Sequence, residues 1–272
     1  MKAPRLARWA WLLLTLPLSL ALAGSGLPHR GQRPQADGVP RIAIIIDDLG
    51  RSEAQGRRAA SLPGPVACAF LPRAPHSPAL ARLAHRRGQV VMLHLPMQSM
   101  EQRRLDAGGL TLHMTRRQFE ATLAEDLARV PHVQGVNNHM GSLLTRHPGH
   151  MLWLMEALRE RGGLFFIDSR TTLHTVARQL AFEQGIPSLS RDVFLDNTPD
   201  VEAINAQFDH LLALARRQGA AVAIGHPYPA TLQVLESRLP RLRREGVELV
   251  PITRLVEQQY ARDSAWRLSL SR

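Results

Sequence analysis

The 272-residue chain carries a formal charge of +11 and a single cysteine. One cysteine excludes an intramolecular disulfide framework. The positive charge is almost entirely arginine, scattered singly and in pairs; this pattern argues against a nucleic-acid reader and favours anionic polymers or lipid head groups.

The chain opens with the pattern of a secretory signal. Lys2, Arg5 and Arg8 make a positive n-region, and residues 9–22 are apolar apart from Thr15, Pro17 and Ser19. Ala21-Leu22-Ala23 then supplies a small-x-small cleavage site before Gly24. The apolar run is short against the roughly 20 residues of a membrane span, and Pro17 weakens it further. An uncleaved anchor is the alternative reading. Both readings place the bulk of the chain outside the cytoplasm, with the periplasm as the expected location and no transmembrane span after cleavage. Removing residues 1–23 leaves 249 residues with a charge of +8, enough for one large domain. The expected organisation is a signal peptide at 1–23, a Gly-, Pro- and Arg-rich flexible tether at 24–40, a β/α barrel domain at 41–258 and a C-terminal tail at 259–272.

From Arg41 onward, short apolar runs alternate with longer amphipathic ones. Strand-like runs occupy 42–46, 66–70, 90–93, 135–136, 164–167, 193–195, 221–224 and 247–250. Helical patterns lie near 53–60, 77–87, 115–129, 149–161, 175–184, 201–217 and 231–244. Thr115-Arg116-Arg117-Gln118 has the form of a capping box. Cys68 falls within the second strand-like run and reads as a buried structural thiol. Apolar runs without polar alternation fit parallel strands covered on both faces, which means an α/β fold. About eight such units predict a single-domain (β/α) barrel, deformed or incomplete.

Polar residues follow the strands with regularity. Ile46 runs into Asp47-Asp48, Leu93 into His94, Val136 into Asn137-Asn138-His139, Ile167 into Asp168, Leu195 into Asp196, and Ile224 into Gly225-His226. In a parallel barrel these positions share the C-terminal rim, where ligands bind. Adjacent strand-end acids have diverging side chains, so one of Asp47 and Asp48 is expected to bind a metal while the other serves as general base. Crowded carboxylates raise one another's pKa unless a cation neutralises them. Asp48, His94 and His139 are the expected metal ligands, an arrangement that leaves a position for water on a zinc-type divalent ion. His226, with an ordinary pKa near neutrality, is the expected general acid. Asp168 is open between holding a metal, orienting a catalytic histidine and pairing with Arg170. Asn138 is open between positioning a ligand and donating to substrate. The other nine histidines, His147-Pro148-Gly149-His150 included, lie in helices, loops or the tether and are read as structural or exposed. No Gly-rich phosphate loop and no Gly-x-Ser-x-Gly elbow occur, so nucleotide use and serine hydrolysis lack support.

Five ordered motifs resemble the divergent polysaccharide deacetylase family over residues 41–256. They are Ile42-Ala43-Ile44-Ile45-Ile46-Asp47-Asp48-Leu49-Gly50, His94-Leu95-Pro96-Met97, Gly135-Val136-Asn137-Asn138-His139-Met140-Gly141-Ser142, Phe165-Phe166-Ile167-Asp168-Ser169-Arg170-Thr171 and Ile224-Gly225-His226-Pro227. The resemblance implies a deformed (β/α) barrel like that of carbohydrate esterases that remove N- or O-acetyl groups. It implies Asp47 as base, Asp48 and His94 as metal ligands, and His226 as acid. The better-studied deacetylases take two metal histidines spaced four apart, whereas here Gln98 stands four after His94. The second imidazole must come from elsewhere, and His139 is the candidate. Their arginine-and-tyrosine substrate motif is missing too.

The implied activity is a metal-dependent hydrolase, most simply a zinc enzyme, that deacetylates a cell-envelope polysaccharide or peptidoglycan-like glycan. The alternative is an envelope protein that keeps the barrel without turnover and binds glycan or a peptidoglycan-remodelling protein partner. A third reading is hydrolysis of a non-sugar substrate. The only tyrosines are Tyr228 and Tyr260, and beyond residue 23 the only tryptophans are Trp153 and Trp266, so the sequence shows no platform for stacking a sugar.

Overall fold

The computed structural model describes residues 38–101 and 104–270. The expected signal peptide and residues 24–37 of the tether lie outside the described residues. Strand and helix alternate as β1 (Arg41–Leu49), α1 (Glu53–Ala59), β2 (Ala67–Phe70), α2 (Ser77–Arg86), β3 (Val90–Met97), α3 (Arg116–Arg129), β4 (Gly135–Met140) and α4 (Pro148–Arg161). The second half comprises β5 (Phe165–Asp168), α5 (Ala177–Glu183), β6 (Ser188–Ser190), β7 (Val193–Phe194), α6 (Val201–Gln218), β8 (Ala220–Gly225), α7 (Pro229–Arg238), β9 (Glu248–Leu249) and α8 (Ile252–Leu270).

Every strand pairing is parallel, in the order β6-β5-β4-β3-β2-β1-β8-β7. β9 adds to the start of β1, at Arg41 and Ile42, whereas β2 pairs with it only from Ile45 onward. The curled sheet is a half-barrel flanked by helices. Its two ends meet in one extended segment. β6 pairs with β5 and β7 with β8, and the partner changes between Arg191, whose N–H donates to Asp168 O, and Asp192, whose N–H donates to Val222 O. β6 was not expected from the sequence, because Ser-Leu-Ser carries no apolar run.

Strand geometry sorts the apolar side chains into two layers. Ile42, Ile44 and Ile46 pack with the helices in an outer cluster. Ala43, Ile45, Met92, Ile167, Val222 and Ile224 fill the barrel interior, joined by Ile252, Leu255 and Val256 of α8. Cys68 lies in the outer cluster, and burial pushes its thiol up to about 12, which fits the structural reading. Helix boundaries follow local chemistry. α3 has the expected capping box, with Thr115 and Gln118 each bonded to the other's backbone N–H. α6 starts on the Asp200 cap, whose carboxylate accepts from Ala203 N–H, and stops at left-handed Gly219. The single helix expected at 231–244 is instead α7 followed by a 3-10 turn at Leu239–Arg241, because Pro240 has no N–H to continue the ladder. α8 runs on from the expected domain end at 258 to Leu270. Among the described residues no helix is long and apolar enough to cross a membrane.

Candidate active site

The interior face of five strands, β1, β3, β4, β5 and β8, ends in a polar side chain. Alternation carries the inner positions Ala43 and Ile45 on to Asp47, Met92 to His94, Gly135 to Asn137 and His139, Ile167 to Ser169, and Ile224 to His226. Asp48 should by the same alternation point outward. A bulge in β1 prevents this: Ile46 pairs with Cys68 and Leu49 with Phe70, so three steps on β1 oppose two on β2. Asp48 takes up the extra residue in the left-handed region, at φ 56°. The bulge is therefore what brings both acids to the site. Both reach the same site, with Nε2 of His94 3.6 Å from Oδ2 of Asp47 and 3.2 Å from Oδ1 of Asp48.

Asp48, His94 and His139 form a group able to hold a metal ion. Oδ1 of Asp48 lies 2.8 Å from Nδ1 of His139, and that nitrogen lies 3.1 Å from Nε2 of His94. The outer nitrogen of each ring has its own partner. Nδ1 of His94 is 2.9 Å from Oδ1 of Asn137, and Nε2 of His139 is 3.0 Å from Oδ2 of Asp106. Asn137 uses its Nδ2 to donate to Asp47, so its Oδ1 accepts the proton of His94. Asp106 likewise draws the His139 proton outward. The inner nitrogens then face one another and the buried Asp48 Oδ1, which lies 3.2 Å from His94 and 2.8 Å from His139. Three acceptors turned on a common point fit a cation, and partners on the outer nitrogens are what orients metal-binding imidazoles.

Electrostatics agrees with this arrangement. Burial acts to raise the pKa of Asp48, but His139 and His94 outweigh it and hold the carboxyl well below the usual carboxylate range. Burial acts to lower His94, but Asp47 and Asp48 push it up to about 9. Asp47, only 3% exposed, is raised by burial against the opposing pull of His94, His226 and Asn137.

Across the site, Nε2 of His226 is 4.0 Å from Oδ2 of Asp48. The buried Asp196 carboxylate fixes this ring, with Oδ1 3.0 Å from Nδ1 and Oδ2 accepting from the His226 N–H at 2.6 Å and the Thr231 hydroxyl at 2.7 Å. Burial disfavours the imidazolium, yet Asp196 and Asp47 outweigh it and raise the His226 pKa. A row of flat groups continues from here. Phe194 lies 5.2 Å and Tyr228 5.5 Å from the His226 ring between centroids, and the Arg191 guanidinium sits 5.0 Å over Phe194. A cavity of about 120 Å³ opens beside Tyr228, bordered by Asp48, Arg51, Gln55 and His226.

Of the residues singled out from the sequence, Asp47, Asp48, His94, His139 and His226 converge. Asn138 and Asp168 stand behind them, and Arg170 follows Asp168 with an exposed side chain. Asn138 Oδ1 accepts from Ser169 N–H and its Nδ2 donates to Met140 O, tying the ends of β4 and β5 together. Asp168 neither joins the metal group nor touches a histidine; it accepts from the Arg170 N–H at 2.9 Å and the Thr175 hydroxyl at 3.0 Å. Asn137, Asp106, Asp196, Arg191 and Phe194 carry no assignment from the sequence. Asn137 was legible in principle, since it lies two residues before His139 on the same face of β4. Gln98 is elsewhere, with its Oε1 accepting from Leu112 N–H. His147 caps α4 and contacts His150, a structural use.

Comparison with known proteins bears on the family and the fold. The profile of the divergent polysaccharide deacetylases matches residues 44–256. An uncharacterized protein from Haemophilus influenzae is 38% identical over 210 residues, covering 77% of this chain and 74% of that protein. The uncharacterized protein YibQ of Escherichia coli is 37% identical over 202 residues, covering 74% of this chain and 63% of YibQ. Among solved structures, an uncharacterized protein from Agrobacterium tumefaciens superposes with a TM-score of 0.77 at 21% identity, covering 82% of this chain and 92% of that one. A mutant of the peptidoglycan deacetylase PdaC from Bacillus subtilis shares the fold at a TM-score of 0.51 and 11% identity, covering 85% and 97%. With a family match over most of its length and the expected half-barrel, this chain belongs to the divergent polysaccharide deacetylase family.

Proposed function

We propose that this protein is an exported, metal-dependent deacetylase acting in the periplasm on a cell-envelope glycan of the peptidoglycan kind. The observation that carries the reading is the convergence of Asp48 Oδ1, His94 Nε2 and His139 Nδ1, mutually 2.8 to 3.2 Å apart, between Asp47 and His226. Export rests on the signal-like pattern of residues 1–23 and the substrate class on the family.

Asp48, His94 and His139 hold the ion, and two nitrogens with one carboxylate suit zinc. When bound, zinc polarises the acyl carbonyl and acidifies water. Asp47 takes the proton of the attacking water. Asn137 holds the Asp47 carboxylate at 2.8 Å so that Oδ2 is left for that proton. His226 keeps a proton on Nε2 and gives it to the departing amine or alcohol; Asp196 occupies Nδ1 and favours the protonated ring. Asp106 and Asn137 position the two imidazoles without meeting substrate.

The test joins metal content to turnover. Mature protein purified without chelator should carry close to one zinc per chain and release acetate from peptidoglycan, and chelator should stop the release. Asp47→Asn should lose turnover and keep its zinc. Protein that binds glycan but neither retains metal nor releases acetate would return the reading to the non-catalytic alternative.

A further inference from the structure

The turn after β5 and the segment between β6 and β7 each bring an arginine near the site, and neither guanidinium forms a salt bridge among the described residues, although Asp168 acts electrostatically on both. Arg191, at the change of partner between β6 and β7, donates from Nε to Ser169 O at 2.7 Å and from Nη2 to Arg170 O at 2.9 Å, and lies over Phe194. These contacts fix the guanidinium plane but none carries negative charge, and Nη1 has no partner among the described residues. Arg170 has its backbone held at φ 49° with its N–H on Asp168, and its side chain is exposed. No carboxylate oxygen lies within salt-bridge distance of either guanidinium among the described residues. The nearby acids are engaged: Asp47 by Asn137, Asp168 by Thr175 and the Arg170 N–H, and Asp192 by the Val222 N–H. Burial, and the like charge of Arg170, disfavour the Arg191 cation and outweigh the favourable pull of Asp168, Asp47 and Asp192.

We infer that Arg170 and Arg191 form a carboxylate-binding subsite, so that the preferred substrate is an acidic glycan with its carboxylate close to the acylated position. The inference rests on the deacetylase reading for its location. A planar guanidinium held by its Nε edge presents a remaining N–H edge suited to a carboxylate, and anion binding would neutralise a like-charge pair. Phe194 stands between Arg191 and His226, which sets the anion on the leaving-group side of the site.

Three N-acetylated oligomers of equal length separate the cases: a neutral N-acetylglucosamine chain, a peptide-free strand alternating with lactyl-bearing sugar, and a chain alternating with a uronic acid. Zinc-loaded protein should prefer an acidic oligomer by about tenfold in kcat/KM and in calorimetric Kd, and the preference should shrink between about 50 and about 500 mM salt. The acidic oligomer preferred identifies the source of the carboxylate. Arg170→Gln should cut the preference about tenfold, and Arg191→Gln at least as much. Arg170 lends only backbone atoms to the fold, so its variant keeps the test decisive where Arg191→Gln fails to fold. Equal use of neutral and acidic oligomers, an unchanged preference in Arg170→Gln, or no binding of any oligomer overturns the subsite. Selective binding without acetate release supports the subsite while refuting the hydrolase.

Discussion

Asn137 donates from Nδ2 to Oδ1 of Asp47 at 2.8 Å, and its own Oδ1 stands 2.9 Å from Nδ1 of His94. One fully buried amide thus fixes both a proposed base and the tautomer of a proposed metal ligand. Replacing Asn137 with alanine frees the His94 ring and leaves Asp47 without its donor. Zinc affinity and turnover should each fall about 10- to 100-fold, the range for loss of a partner behind a metal ligand. Chelator competition and acetate release measure the two. Unchanged zinc affinity would show that the amide serves packing alone.

Metal binding should displace a proton. Without metal, His94 is pushed up to about 9 by Asp47 and Asp48 against the opposing effect of burial, so near pH 7 it is protonated. Zinc requires the Nε2 lone pair, so about one proton leaves per ion bound, and affinity climbs about tenfold per pH unit until His94 is neutral by itself. Calorimetry in buffers of different ionisation enthalpy reads the proton count. A pH-independent affinity between 6 and 8 would remove His94 from the ligand set.

The Asp196 carboxylate should govern the alkaline side of the rate profile. His226 acts in its protonated form, so activity is lost as pH rises through its pKa, which Asp196 helps hold above the ordinary value. Asp196→Asn removes the charge and keeps the shape. The loss should therefore begin at lower pH, by about one unit, with a fall in kcat of about 10- to 100-fold. A variant that is slower at every pH with an unshifted profile would assign Asp196 a purely structural role.

Gly50 should be sensitive to any side chain. It leaves β1 at φ 110°, two residues after Asp48, and an added Cβ would overlap the Ser77 hydroxyl at the start of α2. Gly50→Ala should cost about 1–3 kcal/mol of stability through strain and overlap. Urea unfolding measures it, and a midpoint equal to that of the parent would contradict the packing described.

The sequence already contained the α/β class, most strand positions and five converging polar residues. Apolar runs set the strands, and a strand's alternation is local, so His94, His139 and His226 could be placed at strand ends without any tertiary information. Asn138 is the one picked out from the sequence, although the same alternation, with His139 facing inward, singles out Asn137. Tertiary structure alone decided the rest. Asp48 joins Asp47 because β1 bulges against β2, and a bulge depends on the register of two chain segments about twenty residues apart. Asp196 reaches His226 and Arg191 reaches the site because β7 lies beside β8, and Asp106, in the loop after β3, reaches His139 because β3 pairs with β4. Alternation fixes which way a side chain points along its own strand; which partner it meets depends on how the strands are ordered and curled, and no local pattern carries that.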